Sequence, residues 1–171
     1  MVELKARDLT FAPCDKAQAV AACSVWHSRL PNTQKGPWQF AFAALSPEGA
    51  VVAVALWNNP SARMLPGHWL ELRRMACSPG APKFTASAFL GWMIRYFKQH
   101  HPERERAISY QDTAVHTGTI YKASGWVAAY TSKPRVRDRS KPRVGTDRAY
   151  RSNLNGIAPD ASAKIRWEKT L

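Results

Sequence analysis

The sequence predicts an α/β (α+β) domain with a mixed, largely antiparallel sheet that is flanked by helices. Three observations lead to this class. The segments predicted as strands first follow one another in hairpins and later alternate with helices. One segment near the middle of the chain has the continuous apolar face of an amphipathic helix. The chain has 171 residues, 45% of them apolar, and seven tryptophans, which is enough to bury a core around such a sheet.

The N-terminal half predicts four strands and one helix. "VELKARDLTF" is predicted as the first strand. A helix is predicted from Asp15 to Ser28, because Asp15 is a suitable N-cap, apolar residues follow at helical spacing, and Pro31 stops the pattern. "WQFAFAALS" and "AVVAVALW" predict two strands that "PEG" joins as a hairpin. "HWLELRRMACS" predicts the fourth strand, and the loop "SPGAPKF" ends it.

The C-terminal half alternates helices and strands. "TASAFLGWMIRYFKQHH" predicts the clearest helix, with Thr85 or Ser87 as its N-cap and Pro102 after its end. "RAISYQD" predicts a strand. "HTGTIYKASG" predicts a short helix that begins at His116 and is closed by Gly125, since glycine commonly follows the last helical turn. "WVAAYTS" and "KIRWEKTL" predict the last two strands, on either side of a basic segment.

The charge of the chain predicts a polyanionic partner. Lysine and arginine number 25 against 12 aspartate and glutamate, a net charge of +13. Such an excess favours nucleic acid, and a merely basic surface is the alternative. Residues 133–151 hold eight Lys or Arg and two Asp. Arg135, Arg137 and Arg139 alternate with other residues, so that an extended segment places them on one side, where their guanidinium groups suit phosphates and guanine edges.

Two further features bear on the cellular setting of the protein. No apolar run reaches the roughly 18 residues of a membrane span, and "MVELKARDL" lacks a signal-peptide core. The three cysteines are scattered without metal-ligand spacing, which fits reduced, structural thiols. We therefore expect a cytosolic protein.

The stretch "SYQDTAVHTGTIYKASGW" concentrates polar residues where a strand passes into a helix. Over residues 2–132 the order of elements is similar to that of the GNAT acyltransferase superfamily. In that superfamily a tyrosine four residues before a glycine-aromatic pair lies near the coenzyme A sulfur and can protonate the leaving thiolate; Tyr121, Gly125 and Trp126 match this spacing. The alternative is a tyrosine that packs on the sheet. Ala114 stands where the superfamily has an asparagine.

The superfamily resemblance also implies a coenzyme A site at the start of the helix after the fourth strand. In any protein, the unpaired backbone N–H groups and the dipole at a helix N-terminus favour the binding of an anion. The loop "SPGAPKFTAS" lacks the usual basic residue followed by two spaced glycines, but it offers small residues and one lysine. The implied cofactor is acetyl-CoA or a related acyl-CoA, and an ordinary strand-to-helix loop is the alternative. The expected cofactor-binding residues are Met75, Cys77, Gly80, Lys83, Thr85, Ser87 and Tyr121.

A longer pattern carries a more specific resemblance. "ISYQDTAVHTGTIYKASGWVAAYTS", with "LELRRM" before it and "WHSRLP" near the N-terminus, resembles the Mom family of phage DNA-modification proteins. The resemblance implies a GNAT-like enzyme in the host cytoplasm, a monomer or homodimer, that adds a carbamoylmethyl or acyl group to the N6 amine of adenine and protects the DNA from restriction. It divides the chain into a catalytic domain over 1–132, a basic nucleic-acid-binding segment over 133–163, and a final strand over 164–171.

Adenine N6 chemistry suggests roles for the polar residues. The amine is a weak nucleophile and is paired in a duplex, so the base must be extruded or presented single-stranded. Asp112 and His27 are candidates for orienting or deprotonating the amine, and Ser109 for bridging to them. Tyr121, a phenol with an ordinary pKa of about 10, is the candidate acid. His116 is a candidate neutral acceptor, because a helix N-terminus disfavours its charged form.

Each of these candidates also has a structural interpretation. Asp112 can cap the short helix, His27 can be a hydrogen-bonded core residue, His116 can merely begin the helix, and Ser109 can be a buried strand hydroxyl. On the fourth strand, alternation places Glu71 and Arg73 on one side and Leu72 and Arg74 on the other. The first pair is either a salt bridge or a substrate contact. His27, His116 and Asp112 could together bind a metal ion, but their positions in the sequence do not match a local metal-binding motif. We therefore expect no bound metal.

The expected partner is DNA. The candidate nucleic-acid-binding residues are Trp38, which could stack on an extruded base, and Lys133, Arg135, Arg137, Arg139 and Arg143. Two other functions remain open: a GNAT N-acetyltransferase acting on a protein, a tRNA or an amino-modified base, and a DNA-binding protein that keeps the fold without catalysis.

Overall fold

A seven-stranded sheet with the order β1-β2-β3-β4-β5-β7-β6 forms the centre of the fold. The computed structural model describes residues 4–27, 36–134 and 162–171. Neighbouring strands pair antiparallel except β4 and β5, which pair parallel. The predicted mixed, largely antiparallel sheet is therefore confirmed. The strands are β1 (Thr10–Pro13), β2 (Phe40–Leu45), β3 (Val51–Asn58), β4 (Leu70–Cys77), β5 (Arg106–Asp112), β6 (Val127–Ser132) and β7 (Lys164–Thr170).

Helices cover both faces of the sheet. Helix α1 (Lys16–Trp26) packs on β2, β3 and β4 through small buried side chains such as Ala19 and Cys23. Helix α2 (Thr85–His100) and the short helix α3 (Thr119–Ala123) lie on the opposite face, where they enclose the larger aromatic core. No helix in the described part of the chain has the length and apolarity that a membrane span would need.

The apolar core beneath α2 is rich in aromatic rings. Phe42, Trp57 and Phe97 pack edge to face, with ring centroids 5.0–5.5 Å apart. The buried indole N–H of Trp57 donates to the sulfur of Met93 at 3.0 Å. Aromatic pairs in this geometry add stability beyond their buried area, so α2 forms a rigid support for the strands that carry the polar residues.

Three local predictions were wrong. A 3-10 turn over Ala6–Asp8 precedes β1, because the Asp8 carboxylate accepts the Lys5 N–H and takes these residues out of the predicted first strand. Neither predicted hydroxyl caps α2: its N-cap is Phe84, in the left-handed region at φ 68°. Helix α3 begins at Thr119 after Gly118, so that His116 lies in the loop before it.

Strand β4 contains a β-bulge at Arg73. Leu56 of β3 pairs with Arg74 and Trp57 pairs with Leu72, so that Arg73 is the extra residue. A bulge adds local twist and redirects the side chains that follow it. Arg74 therefore lies on the α1 face, as its pairing with Leu56 of the α1-side core shows. The predicted alternation, which placed Arg74 with Leu72, was wrong for this reason.

Candidate active site

The two parallel strands of the sheet are paired only over a short ladder, and we call the gap between β4 and β5 beyond this ladder the cleft. The ladder between β4 and β5 joins Leu70–Leu72 to Ala107–Ser109, and no further pair of these strands is present in the described structure. Beyond Leu72 the strand continues to Cys77, while β5 continues to Asp112 alongside β7. Beyond this ladder the facing edges of β4 and β5 thus have no strand between them, and their backbone N–H and C=O groups are not paired with each other.

A pair of buried hydroxyl groups lies at the inner end of the cleft, on the α3 side. The Ser109 and Tyr121 hydroxyl oxygens are 2.9 Å apart, and the Ser109 hydroxyl donates to the Leu72 carbonyl at 3.3 Å. Burial raises the pKa of Tyr121, and the hydrogen bond with Ser109 only partly opposes it. Trp167 stacks on the Tyr121 ring with centroids 5.4 Å apart and Trp126 packs against it edge to face, so the phenol keeps one orientation and its proton at neutral pH.

Three basic side chains gather on the α1 side of the same cleft. His27 ends α1, Arg74 projects from β4 beyond the bulge, and His116 lies in the loop after β5. Burial, together with the charges of Arg74 and His116, lowers the pKa of His27 to about 4. His27 is therefore neutral at pH 7 and can accept a hydrogen bond. Arg74 was missed as a site residue, because strict alternation placed it on the other face.

Asp112 forms part of the junction between β5 and β7. Its carboxylate accepts hydrogen bonds from the Lys164 ammonium, from the Ser162 hydroxyl at 2.6 Å and from the Ala114 N–H at 3.0 Å. Burial would raise the pKa of Asp112, but these bonds and the Lys164 charge hold it at about 2. A carboxylate with so low a pKa is a weak base at neutral pH. Its backbone carbonyl accepts the His116 N–H at 2.9 Å, and this bond orients the loop.

Gln111, which sequence reasoning missed, connects this loop to the sheet. Its side chain is 3% exposed. The amide nitrogen donates to the His116 carbonyl, and the oxygen accepts the Trp167 indole N–H at 2.8 Å. Gly118 (φ 76°) lies against both side chains, and a Cβ there would be 2.5 Å from the Gln111 oxygen. The signals in the sequence were a polar residue within an apolar strand and a glycine just before a helix.

Several N–H and hydroxyl groups of the loop between β4 and α2 are bonded within the loop. The N–H groups of Ala81 and Thr85 donate to the Ser78 and Pro82 carbonyls within the loop. The hydroxyls of Thr85 and Ser87 also donate to loop carbonyls. Lys83 is exposed and supplies a positive charge. A pyrophosphate bound here would depend on the remaining amides of the loop and first helical turn and on Lys83.

Two cofactor-binding candidates lie on the part of β4 that borders the cleft. Met75 and Cys77 are half-buried and contact the α2-side core. Burial raises the pKa of the Cys77 thiol to about 11, so this cysteine is a protonated, weakly reactive thiol at pH 7. Gly80, in the loop that follows, has open space around its Cα. The structure thus brings these candidates to the same end of the cleft.

Other candidate residues lie away from this site. Glu71 and Arg73 form an ion pair at 3.8 Å, and the Glu71 carboxylate also accepts the Ser61 N–H at 2.6 Å, which anchors the loop after β3. Trp38 packs near α1 before β2, at the end of the sheet where β4 and β5 are still paired. Lys133 is exposed just after β6. Arg135, Arg137, Arg139 and Arg143 lie outside the described residues.

No cluster of three or more potential metal ligands occurs within residues 4–27, 36–134 and 162–171. His27, His116 and Asp112 accordingly do not form a grouped ligand set in this part of the chain.

Comparisons with known proteins agree with this architecture. A family model described as the Mom protein family matches residues 8–165. No curated protein matches the chain significantly. A Bacillus subtilis acetyltransferase in complex with CoA has a TM-score of 0.65 at 8% identity, over 95% of this chain and 99% of that chain.

Two other solved structures are also similar. The ribosomal-protein-S18-alanine N-acetyltransferase from Escherichia coli has a TM-score of 0.63 at 12% identity, over 95% of this chain and 93% of that chain. The spermidine N-acetyltransferase from Vibrio cholerae, in complex with CoA and spermine, has a TM-score of 0.63 at 7% identity, over 96% of each chain. At these identities the likeness shows the fold, a GNAT-like one.

Proposed function

Because the chain belongs to the Mom protein family, we propose that it modifies the N6 amine of adenine in DNA with a carbamoylmethyl or acyl group. The observation that carries the proposal is the cleft between β4 and β5. A buried hydroxyl pair, Ser109 and Tyr121, lies on one side of it, and His27, Arg74 and His116 lie on the other. A donor and an acceptor can therefore meet in the cleft from opposite faces of the sheet.

The residues of the chain have distinct roles in this proposal. The Tyr121 hydroxyl holds a proton at neutral pH, since its pKa is raised, and can give it up at the inner end of the cleft. Ser109 orients that hydroxyl. His27, neutral at pH 7 because its pKa is about 4, accepts a hydrogen bond from the incoming amine, and Arg74 offers a positive charge beside it. Asp112 is a positioning residue for the loop that carries His116.

The edges of the cleft suit an acyl-CoA donor, but the loop before α2 differs from the usual phosphate-binding loop. Its amide-bearing arm suits the edges of β4 and β5 beyond Leu72, where no strand intervenes. The loop before α2 has amides and hydroxyls already bonded to its own carbonyls, so Lys83 carries more of the phosphate binding than in a glycine-rich loop. When bound, such a donor supplies a thioester-linked acyl group. Acyl transfer alone forms an N6-amide, so a carbamoylmethyl product requires a further step.

The adenine must leave the duplex before its amine can enter the cleft. Extrusion or a single-stranded substrate exposes N6, at a cost of a few kcal/mol for unpairing and unstacking. The basic segment 133–163, which joins β6 to β7, supports a DNA partner through its excess of Lys and Arg. Its strand attachments, Ser132 and Lys164, pair with each other at the same end of the sheet as Asp112.

Nucleoside analysis of DNA tests the proposal. The protein is expressed in bacteria, and digested genomic DNA is examined by mass spectrometry for a modified deoxyadenosine, whose mass distinguishes an acyl from a carbamoylmethyl group. Tyr121→Phe is expected to lower the yield by about 100-fold or more, the usual contribution of a positioned proton donor. Tyr96→Phe, the same change on α2 away from the cleft, serves as the matched control.

Two results would count against the enzyme that we propose. Unmodified DNA together with acetylated protein or tRNA would favour an N-acetyltransferase for another amine. Unmodified DNA together with tight, salt-dependent DNA binding would favour a binding protein that keeps the fold. Normal modification by Tyr121→Phe would remove the proton-donor role while leaving the family's chemistry in place.

The basic segment is tested separately by DNA binding. Replacing Arg135, Arg137 and Arg139 with alanine is expected to weaken binding and to reduce the slope of log K against log salt by up to about 3, one for each lost phosphate contact. Fluorescence anisotropy over a range of salt concentrations measures this slope. An unchanged slope would show that these arginines do not contact the phosphates.

A further inference from the structure

Among the described residues, no helix packs on the α1 side of the half of the sheet that β5, β7 and β6 form. Helix α1 packs on β2, β3 and β4, while β5, β7 and β6 extend beyond it. Two tyrosines are exposed on this half: Tyr110 on β5, at 37%, and Tyr130 on β6, at 52%. Neither belongs to the hydrophobic core in the described structure. Exposed aromatic rings on an open sheet are typical of surfaces that bind single-stranded nucleic acid.

Strand register aligns the two tyrosines with an arginine. Tyr110 pairs with Arg166 of β7, and Arg166 pairs with Tyr130 of β6, so the three side chains form a row across three strands. With about 4.8 Å between strands, the row is about 10 Å long. The Arg166 guanidinium lies 5.5 Å from the centre of the Tyr130 ring, and its charge acts on Tyr110. This arginine therefore contacts the Tyr130 ring and lies beside Tyr110.

The charged groups around the row leave it positive. The Arg166 and Arg106 guanidinium groups share one carboxylate, that of Glu168. Lys164, which precedes Arg166 on the same strand, pairs with Asp112. Glu71, on β4, acts on Tyr110 through its charge, but its own carboxylate is bonded to Ser61 and lies close to Arg73. The carboxylates around the row therefore leave one guanidinium charge without a negative counterpart. A polyanion bound on the row would meet this positive charge.

The row leads from β6 to the cleft. Tyr110 is the residue after Ser109, the last residue of β5 that pairs with β4, and it therefore borders the α1 side of the cleft. Tyr130 lies two residues before Ser132, where β6 ends and the basic segment begins. A strand of DNA that passes from this end of β6 to His27 and Arg74 would cross the row.

We propose that Tyr110, Arg166 and Tyr130 form a stacking platform for single-stranded DNA, which holds the nucleotides beside the target adenine. The platform rests on the proposed function in that it takes DNA to be the substrate. The tyrosine rings stack on bases, as every base offers a π-face, and Arg166 faces the phosphate or adds a cation–π contact. The preference is for unpaired bases, because paired bases do not expose their faces.

Fluorescence anisotropy with a labelled single-stranded 12-mer tests the platform. Tyr110→Leu and Tyr130→Leu keep apolar bulk but remove the ring, and each is expected to weaken binding by roughly 5- to 100-fold. Tyr110→Phe and Tyr130→Phe, the matched controls, are expected to bind within about 2-fold of the parent. Thermal melts of all four variants confirm that they fold. A duplex of the same sequence is expected to be affected much less by the leucine changes.

The outcomes distinguish a failure of the platform proposal from a failure of the proposed enzymatic activity. Equal binding by the leucine and phenylalanine variants would overturn the platform, even if modified deoxyadenosine still forms in cells. Weaker binding by the leucine variants alone would support it, even if no modified nucleoside forms. Equal losses for duplex and single strand, or tighter binding to an RNA of the same sequence, would also overturn the assignment to single-stranded DNA.

Discussion

Replacing Asp112 with asparagine removes one negative charge from the junction between β5 and β7 while keeping the size of the side chain. The carboxylate contacts the Lys164 ammonium and the Ser162 hydroxyl, and both side chains of the ion pair are mostly covered, with Lys164 25% and Asp112 19% exposed. Burial alone would raise the pKa of Asp112, but these contacts lower it from 3.8 to about 2. After allowance for solvent screening, the charged form contributes about 1–2 kcal/mol to stability.

The pH dependence of this contribution has a definite sign. A carboxyl group whose pKa is lower in the folded state stabilises the fold above its unfolded pKa, near 3.8, and the stabilisation disappears as the pH falls through about 2. Asp112→Asn is therefore expected to lower the free energy of unfolding by about 1–2 kcal/mol at pH 7 and by much less at pH 2.5.

Urea unfolding followed by tryptophan fluorescence, at pH 7, 5 and 2.5, measures the effect. Asp8→Asn removes a charge from the exposed N-terminal turn and serves as the control for net charge. Lys164→Met completes a double-mutant cycle, in which the two changes together are expected to cost less than their sum. A loss of equal size at pH 7 and pH 2.5, or additive changes in the cycle, would refute the ion pair as the cause.

Two further predictions concern the loop and the histidine beside the cleft. Gly118→Ala is expected to lower stability by at least about 2 kcal/mol, because φ 76° strains alanine and its Cβ would collide with Gln111 and Trp167; denaturation measures this, and Gly67→Ala, which has open space, is the control. His27→Gln is expected to reduce the loss of stability between pH 6.5 and 4. The pKa of the histidine is about 4 in the folded state, so only the unfolded state gains a proton in that window. A pH profile identical to that of the parent would exclude the effect.

The sequence determined most of the secondary structure, because local patterns control it. The strand "RAISYQD" matches β5 residue for residue, since β-branched and aromatic residues between turn signals favour extended backbone. Asp15 caps α1 by accepting the N–H groups of Ala17 and Gln18. The errors occurred at the ends of elements, where a single side-chain bond such as Asp8 to Lys5 changes the local conformation.

The site was predicted in part. Ser109 and Tyr121 were both candidates from the sequence, and the structure brings their hydroxyl groups to 2.9 Å. Gln111 and Arg74 were missed. The role of Gln111 depends on its hydrogen bond with Trp167, which is 56 residues away in the chain. The position of Arg74 depends on the bulge in β4. The predicted roles of the catalytic and DNA-binding residues stay predictions.

The sequence by itself determined the kind of protein: its family pattern, its basic charge and the order of its strands and helices. Only the tertiary structure decided how the strands meet. The last strand of the chain, β7, inserts between β5 and β6, and this places Arg166 between Tyr110 and Tyr130. The separation of β4 from β5, which makes the cleft, follows from pairing between residues far apart in the chain. Such pairing depends on the burial of whole faces of the sheet, so local sequence patterns do not predict which strands pair.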